Sequence, residues 1–124
     1  MRYLVDTHIL IWWVVGDFRL SKNAIKILLD PTNEVFVSLA SAWEIAIKQI
    51  SGKLLLHTTI DEAFKRSHFK TVAISMEHII SLYGLPKIHK DPFDRLLIAQ
   101  AQAENLTLIT VDSSIKKYPI KTLS

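Results

Sequence analysis

Four acidic residues stand where a parallel α/β fold would gather them. Asp6 follows the apolar run Tyr3 to Val5, and Asp112 follows LTLITV. Glu44 lies in the first turns of the helix after EVFVS, and Asp94 opens a strongly apolar helix. Each has a local reading as a helix cap or first-turn acid, since Asp6 and Asp112 can be N-caps and Ser41-x-x-Glu44 has capping-box spacing. Together they have a chemical one. Two carboxylates ~5 Å apart repel by roughly 3 kcal/mol at an effective dielectric near 20, a cost that a divalent cation removes. An all-oxygen set suits a hard cation, Mg²⁺ or Mn²⁺. The absence of cysteine excludes thiolate sites, and zinc would want Cys or a close His pair. Such a cation at a sheet edge serves phosphoryl chemistry, neutralising a phosphodiester oxygen and activating a water, with a second metal able to steady the leaving oxygen. Lys87, Lys90 and Arg95 are candidates to hold neighbouring phosphates, or else a solvated basic face. His8, His57, His68, His78 and His89 show no metal spacing and read as structural or surface residues.

The elements that must position these acids can be read in turn. In HKDPFDRLLIAQA, which opens at His89, Pro92 suits the first helical position and Asp91 the N-cap, leaving Asp94 in the first turn. The helix is apolar nearly all round and should be buried. Tyr3 to Val5 reads as a short strand, and Thr7 to Val15 as helix or further strand, stopped by Gly16. Ser21 caps a helix with Ala24, Ile25, Leu28 and Leu29 on one face, ended by Pro31. Strands are expected at Glu34–Ser38, Thr71–Ile74 and Leu106–Val111, with a last edge strand within Lys116–Leu123 interrupted by Pro119. Helices are expected at Ser41–Ile50 (Trp43, Ala46, Ile47 and Ile50 inward), after a Thr59-x-x-Glu62 capping box, and at Ser75–Tyr83. Short apolar strands alternating with helices predict an α/β domain with a mostly parallel sheet of about four or five strands, flanked by helices. In such sheets ligands bind outside the carboxyl ends of the strands.

The whole chain bounds the problem. Its 124 residues, 49% hydrophobic with 3 Gly and 4 Pro, fit one domain over residues 1–124. The net charge of +3 is compatible with a polyanionic partner without implying one. In MRYLVDTHILIWWVVG the apolar run is interrupted by Asp6 and His8, unlike a signal peptide, and no run is long enough for a bilayer. A soluble, cytoplasmic protein is expected. Trp12 and Trp13 point about 100° apart on a helix, which predicts one in the core and one on a partner surface.

The segments LVDTHILIWW, VSLASAWEIAIK, SGKL, HKDPFDRLLIAQA and LTLITVD, in this order and spacing, resemble a PIN domain of the VapC type. These are toxin ribonucleases of type II toxin–antitoxin pairs, and the resemblance runs over essentially the whole chain. It implies a three-layer fold around a central parallel sheet and Mg²⁺- or Mn²⁺-dependent endonucleolytic cleavage of RNA. By position it assigns catalysis and metal binding to Asp6, Glu44, Asp94 and Asp112. Asp91 would cap or reach the metal through water, and Thr7 and Thr110 would orient the carboxylates. It further implies a homodimer, or a toxin–antitoxin hetero-oligomer, in which an antitoxin segment sets an Arg or Lys toward the acids. Two other classes fit less well. A phospho-receiver module needs a paired acid after the first strand and an acceptor Asp after a central one, but Asp6 stands alone and EVFVS ends without an Asp. A non-catalytic RNA-binding module lacks the expected stacking motifs and leaves the acids unexplained.

Overall fold

The computed structural model describes residues 1–124. In chain order the elements are β1 (Arg2–Val5), α1 (Thr7–Val15), α2 (Lys22–Leu29), β2 (Glu34–Ser38), α3 (Leu39–Ile50), α4 (Ile60–Ser67), β3 (Lys70–Val72), α5 (Met76–Ser81), α6 (Pro92–Ala103), β4 (Thr107–Ile109) and β5 (Thr122–Leu123). The five strands form one sheet in the order β3-β2-β1-β4-β5. Every pairing is parallel, with Leu4 opposite Phe36 on one side and Leu108 on the other.

Alternation along β1 divides the core in two. Tyr3 and Val5 join Ile9, Leu10, Leu28, Val37 and Ile109 on the face covered by α1 and α2. Leu4 joins Leu108, Leu97, Ile98 and Ala101 on the face covered by α6. A sheet buried on both faces explains the near-continuous apolar strands. No helix is long and apolar enough to cross a membrane.

Helix α6 starts as its sequence dictates. Asp91 Oδ1 accepts from Phe93 N at 2.8 Å and Asp94 N at 3.0 Å, with Pro92 in the first turn. Leu96 to Ala101 are all buried. Helix α1 ends at Gly16, whose φ of +71° is left-handed, a conformation that costs glycine little.

Several expectations are corrected. Helix α3 begins at Leu39, because Ser38 is its N-cap, its hydroxyl accepting from Ala40 N at 2.9 Å. Ser41-x-x-Glu44 is therefore no capping box, and the inward face is Ala40, Ser41, Glu44 and Ile45. Trp43 (59% exposed), Ile47 (42%) and Ile50 (87%) point outward instead. Helix α2 buries Ala24 and Leu28, while Ile25 and Leu29 are exposed. Thr59 makes no side-chain cap to α4. The third and fourth strands are shorter than their apolar runs, and the helix after Ser75 tightens into a 3-10 turn at Leu82–Gly84. Of the adjacent tryptophans, Trp12 is buried and Trp13 half-buried. Trp12 belongs to the α1–α2 core and Trp13 packs on the same cluster, stacked on Phe69 at 5.9 Å, because α1 is covered on both flanks.

Candidate active site

The sheet order decides where the acids meet. Asp6 ends β1, α3 follows β2 directly, and Asp112 follows β4, so three acids leave neighbouring parallel strands at one edge. Helix α6 delivers Asp94 to the same edge from its N-terminus.

Asp6 is 3% exposed and caps α1, Oδ1 accepting from Ile9 N at 2.8 Å. Its Oδ2 accepts from the Thr110 hydroxyl, which in turn accepts from Asp112 N at 3.0 Å. One threonine thus ties the first acid to the last. Burial pushes the Asp6 carboxyl up, against the pull of the Thr110 and Ile9 hydrogen bonds. Glu44, also 3% exposed, accepts from Thr7 Oγ1 at 2.7 Å, with Ser41 Oγ 2.9 Å from the same hydroxyl. Its other oxygen accepts from Lys48 Nζ at 2.7 Å, and this contact holds the Lys48 ammonium above its ordinary range.

Asp94 and Asp112 meet at His89. Tyr118 Oη accepts from Ile88 N and His89 N, fixing the loop, and His89 Nδ1 accepts from Asp91 N at 3.3 Å. That bond places the ring proton on Nε2, which donates to Asp112 Oδ2 at 3.2 Å and lies 2.9 Å from Asp94 Oδ2. The three groups offer ligand atoms within 4.8 Å of one another. Burial pushes Asp94 up to about 7, reinforced by the charges of Asp91, Glu44 and Asp6 and opposed by His89. Partial burial raises Asp112 as well, but hydrogen bonds from Ile115 N, His89 and Ser114 N outweigh it and leave the carboxyl below its usual range.

The structure therefore gathers Asp6, Glu44, Asp94 and Asp112, with Thr7 and Thr110 against two of them. Asp91 is turned to the α6 cap. Arg95 is engaged within the protein. Its guanidinium donates to Pro86 O, Leu82 O and Tyr118 Oη and braces the loop. Lys87 and Lys90 are exposed on that loop. Sequence reasoning missed two members of the cluster. His89 is no remote surface residue, and Lys48 lies among the acids. For Lys48 the signal was there, four residues after Glu44 on the same helix face; His89 lies two residues before the Asp91 cap, a position that does not by itself reveal its contacts.

These donors fit a hard divalent cation. Asp94 and Asp112 offer ligand oxygens beside His89, and Asp94 also feels the charges of Asp6 and Glu44. Each carboxylate retains acceptor capacity beyond the bonds it makes, and the Lys48 ammonium takes up part of the accumulated negative charge at Glu44.

Residues 3–121 match the family described as PIN domain. The chain is 26% identical over 118 residues to ribonuclease VapC22 of Mycobacterium tuberculosis, covering 93% of this chain and 90% of that one. Its fold is similar to a chain of the VapBC2 structure from Rickettsia felis bound to a promoter DNA fragment (TM-score 0.73, 18% identity, 99% and 98% of the two chains). It is similar too to a toxin–antitoxin complex from Klebsiella pneumoniae (TM-score 0.67, 22% identity, 98% and 96%). With nearly its whole length matched, and its acids gathered at the carboxyl edge of a parallel sheet, the chain belongs to the PIN domain family.

Proposed function

We propose that this protein is a Mg²⁺-dependent endoribonuclease, the toxin of a type II toxin–antitoxin pair, acting in the cytoplasm, with Mn²⁺ as the alternative ion. The observation that carries this reading is the convergence of Asp6, Glu44, Asp94 and Asp112 from four elements, with Asp94 pushed up to about 7 chiefly by burial and by the negative charge around it. The ribonuclease and toxin–antitoxin relatives supply the substrate class and the biology. Bound there, the cation would offset charge on the scissile phosphodiester and make a water nucleophilic near neutral pH.

The chain's own part is to hold the oxygens still. Asp6 is locked by a backbone N–H and the Thr110 hydroxyl, Glu44 by Thr7 and Lys48, and Asp94 and Asp112 share His89. Preorganised ligands need no rearrangement when substrate arrives. Lys87 and Lys90 extend the site toward the RNA backbone. Asp6→Asn, Glu44→Gln and Asp94→Asn should each abolish RNA cleavage while circular dichroism stays that of the folded parent. Full cleavage in Mg²⁺ by the Asp94→Asn protein sinks the assignment.

The inhibitory partner has a fitting surface. Between α3 and α4 lies an apolar groove of about 360 Å³ lined by Leu39, Ala42, Ile60 and Phe64. We assign it to apolar residues of an antitoxin segment whose Arg or Lys enters the acid cluster, in the manner of Lys48 at Glu44. Titrating cleavage with the neighbouring gene's product, and with its anchor cation changed to Ala, checks this. Inhibition that survives the change removes the anchoring model.

A further inference from the structure

Beside the acid cluster, on the side of α1 and the carboxyl end of α3, is a second cleft of about 260 Å³. Its chemistry is opposite. Arg19, Lys48, Lys53 and His8 line it, Trp12 lies in its wall, and it contains no carboxylate. It also includes Thr7, whose hydroxyl holds Glu44, so the two sites are continuous through Thr7 and Lys48.

The basic groups are placed there by definite local structure. Gly52, with φ of +75°, ends α3 in a left-handed turn, and Gly52 N donates to Gln49 O at 3.2 Å while Lys53 N returns to Lys48 O at 2.9 Å. This helix-ending turn folds Lys53 back beside Lys48. Arg19 is carried by the loop after α1, its guanidinium 5.0 Å from the Trp12 ring centroid and braced behind by Asp17 at 2.7 Å. Lys53 has no ion-pair partner. The SGKL segment thus has a role that the acids alone do not explain. Unpaired Lys53, beside Arg19 and Lys48 whose ion-pair partners lie outside the lining, makes a concave basic wall next to a phosphodiesterase centre. Such a wall suits a polyanionic strand better than an apolar peptide.

We propose that this cleft is the subsite for the RNA backbone flanking the cleaved bond, with Lys53 and Arg19 taking a neighbouring phosphate and Lys48 lying between that phosphate and the acids. The assignment rests on the ribonuclease reading for the identity of the strand. Its contacts are to phosphate, so they position RNA without choosing sequence.

The test is binding of a fluorescein-labelled, mixed-sequence single-stranded oligoribonucleotide over a series of KCl concentrations. Asp6→Asn protein serves as the uncut background, alone and combined with Lys53→Ala, Arg19→Ala or both, and with Lys121→Ala as a control of equal charge loss before β5. Each cleft substitution should lower the slope of log affinity against log salt by about 0.7 and weaken binding several-fold, while Lys121→Ala changes neither. In otherwise unaltered protein Lys53→Ala should raise KM and leave kcat nearly intact. If Arg19→Ala shifts the thermal transition, Lys53→Glu alone carries the same comparison. Unchanged slope and KM overturn the subsite while ribonuclease activity stands. Unchanged RNA binding with weakened inhibition by the neighbouring gene's product also overturns it, handing the cleft to a protein partner. A lowered slope in a protein that cuts no RNA in Mg²⁺ or Mn²⁺ upholds the subsite and removes the ribonuclease reading instead.

Discussion

Asp94 is the residue in which fold and chemistry conflict most openly. Burial and the neighbouring acids push it up to about 7, against about 3.9 for an unfolded Asp. Between those values the folded chain binds more protons than the unfolded one, so stability must fall as pH rises through the window and level off above it. Asp6, raised by its own burial, acts in the same direction. In chelator-treated protein the urea midpoint should therefore decline between about pH 4 and pH 7, and Asp94→Asn should decline less and be the more stable protein at pH 8. Parallel curves for the two proteins would show that Asp94 does not carry the linkage. The acid itself was legible, because Pro92 and the apolar run behind it fix a helix start. Its partner was not. His89 meets Asp112 across 23 positions, and its contact with Asp94 depends on Tyr118 holding the loop backbone, so no spacing rule reveals either.

At the level of elements, α3 and α6 are joined beneath the acids by polar groups in an otherwise apolar interior. Ser38 caps α3 and donates to Gln100 Oε1, and both residues are fully buried. Replacing Gln100 by Leu removes the acceptor and leaves the serine hydroxyl without it, which should cost about 1–3 kcal/mol. The check is a lower urea midpoint with unchanged slope; a midpoint equal to the parent's would mean that the pair contributes little. Strands and helix starts were readable from this sequence, but the faces of α2 and α3 were not. Apolar residues lie on both sides of α3, so periodicity alone favours Trp43, Ile47 and Ile50 as inward, although burial belongs to Glu44 and Ile45. A carboxylate can take that inward position because Thr7 and Lys48 satisfy it, and those partners become visible only after the chain has folded.

Across the molecule, accumulated charge at one sheet edge makes stability depend on the ion. If Mg²⁺ binds only the folded chain, a hundredfold excess over Kd should add about 2.7 kcal/mol, and the double variant Asp6→Asn, Asp94→Asn should lose most of that gain. Thermal transitions with and without Mg²⁺ read it, and an unshifted parent counts against the site. Elsewhere Met76, Ile79, Ile80 and Tyr83 form an exposed apolar stripe along α5 and the turn after it. A two-fold pairing of this stripe with its copy should give dimers in sedimentation, shifted toward monomer by Ile80→Glu; identical profiles for parent and variant would place self-association elsewhere.

The bond from Thr110 to Asp6 has a further consequence, in time rather than in space. β1 emerges well before β4 during synthesis, yet β4 is one of its two neighbours, and Asp6 gains its hydroxyl partner 104 residues later. Contacts so distant along the chain form late, and a chain made from its N-terminus cannot form them until Thr110 has left the ribosome. A half-made chain holds Asp6 and Glu44 without Asp94 or Asp112. A nuclease built this way has its full set of acids only once the segment carrying Asp94 and Asp112 has been made.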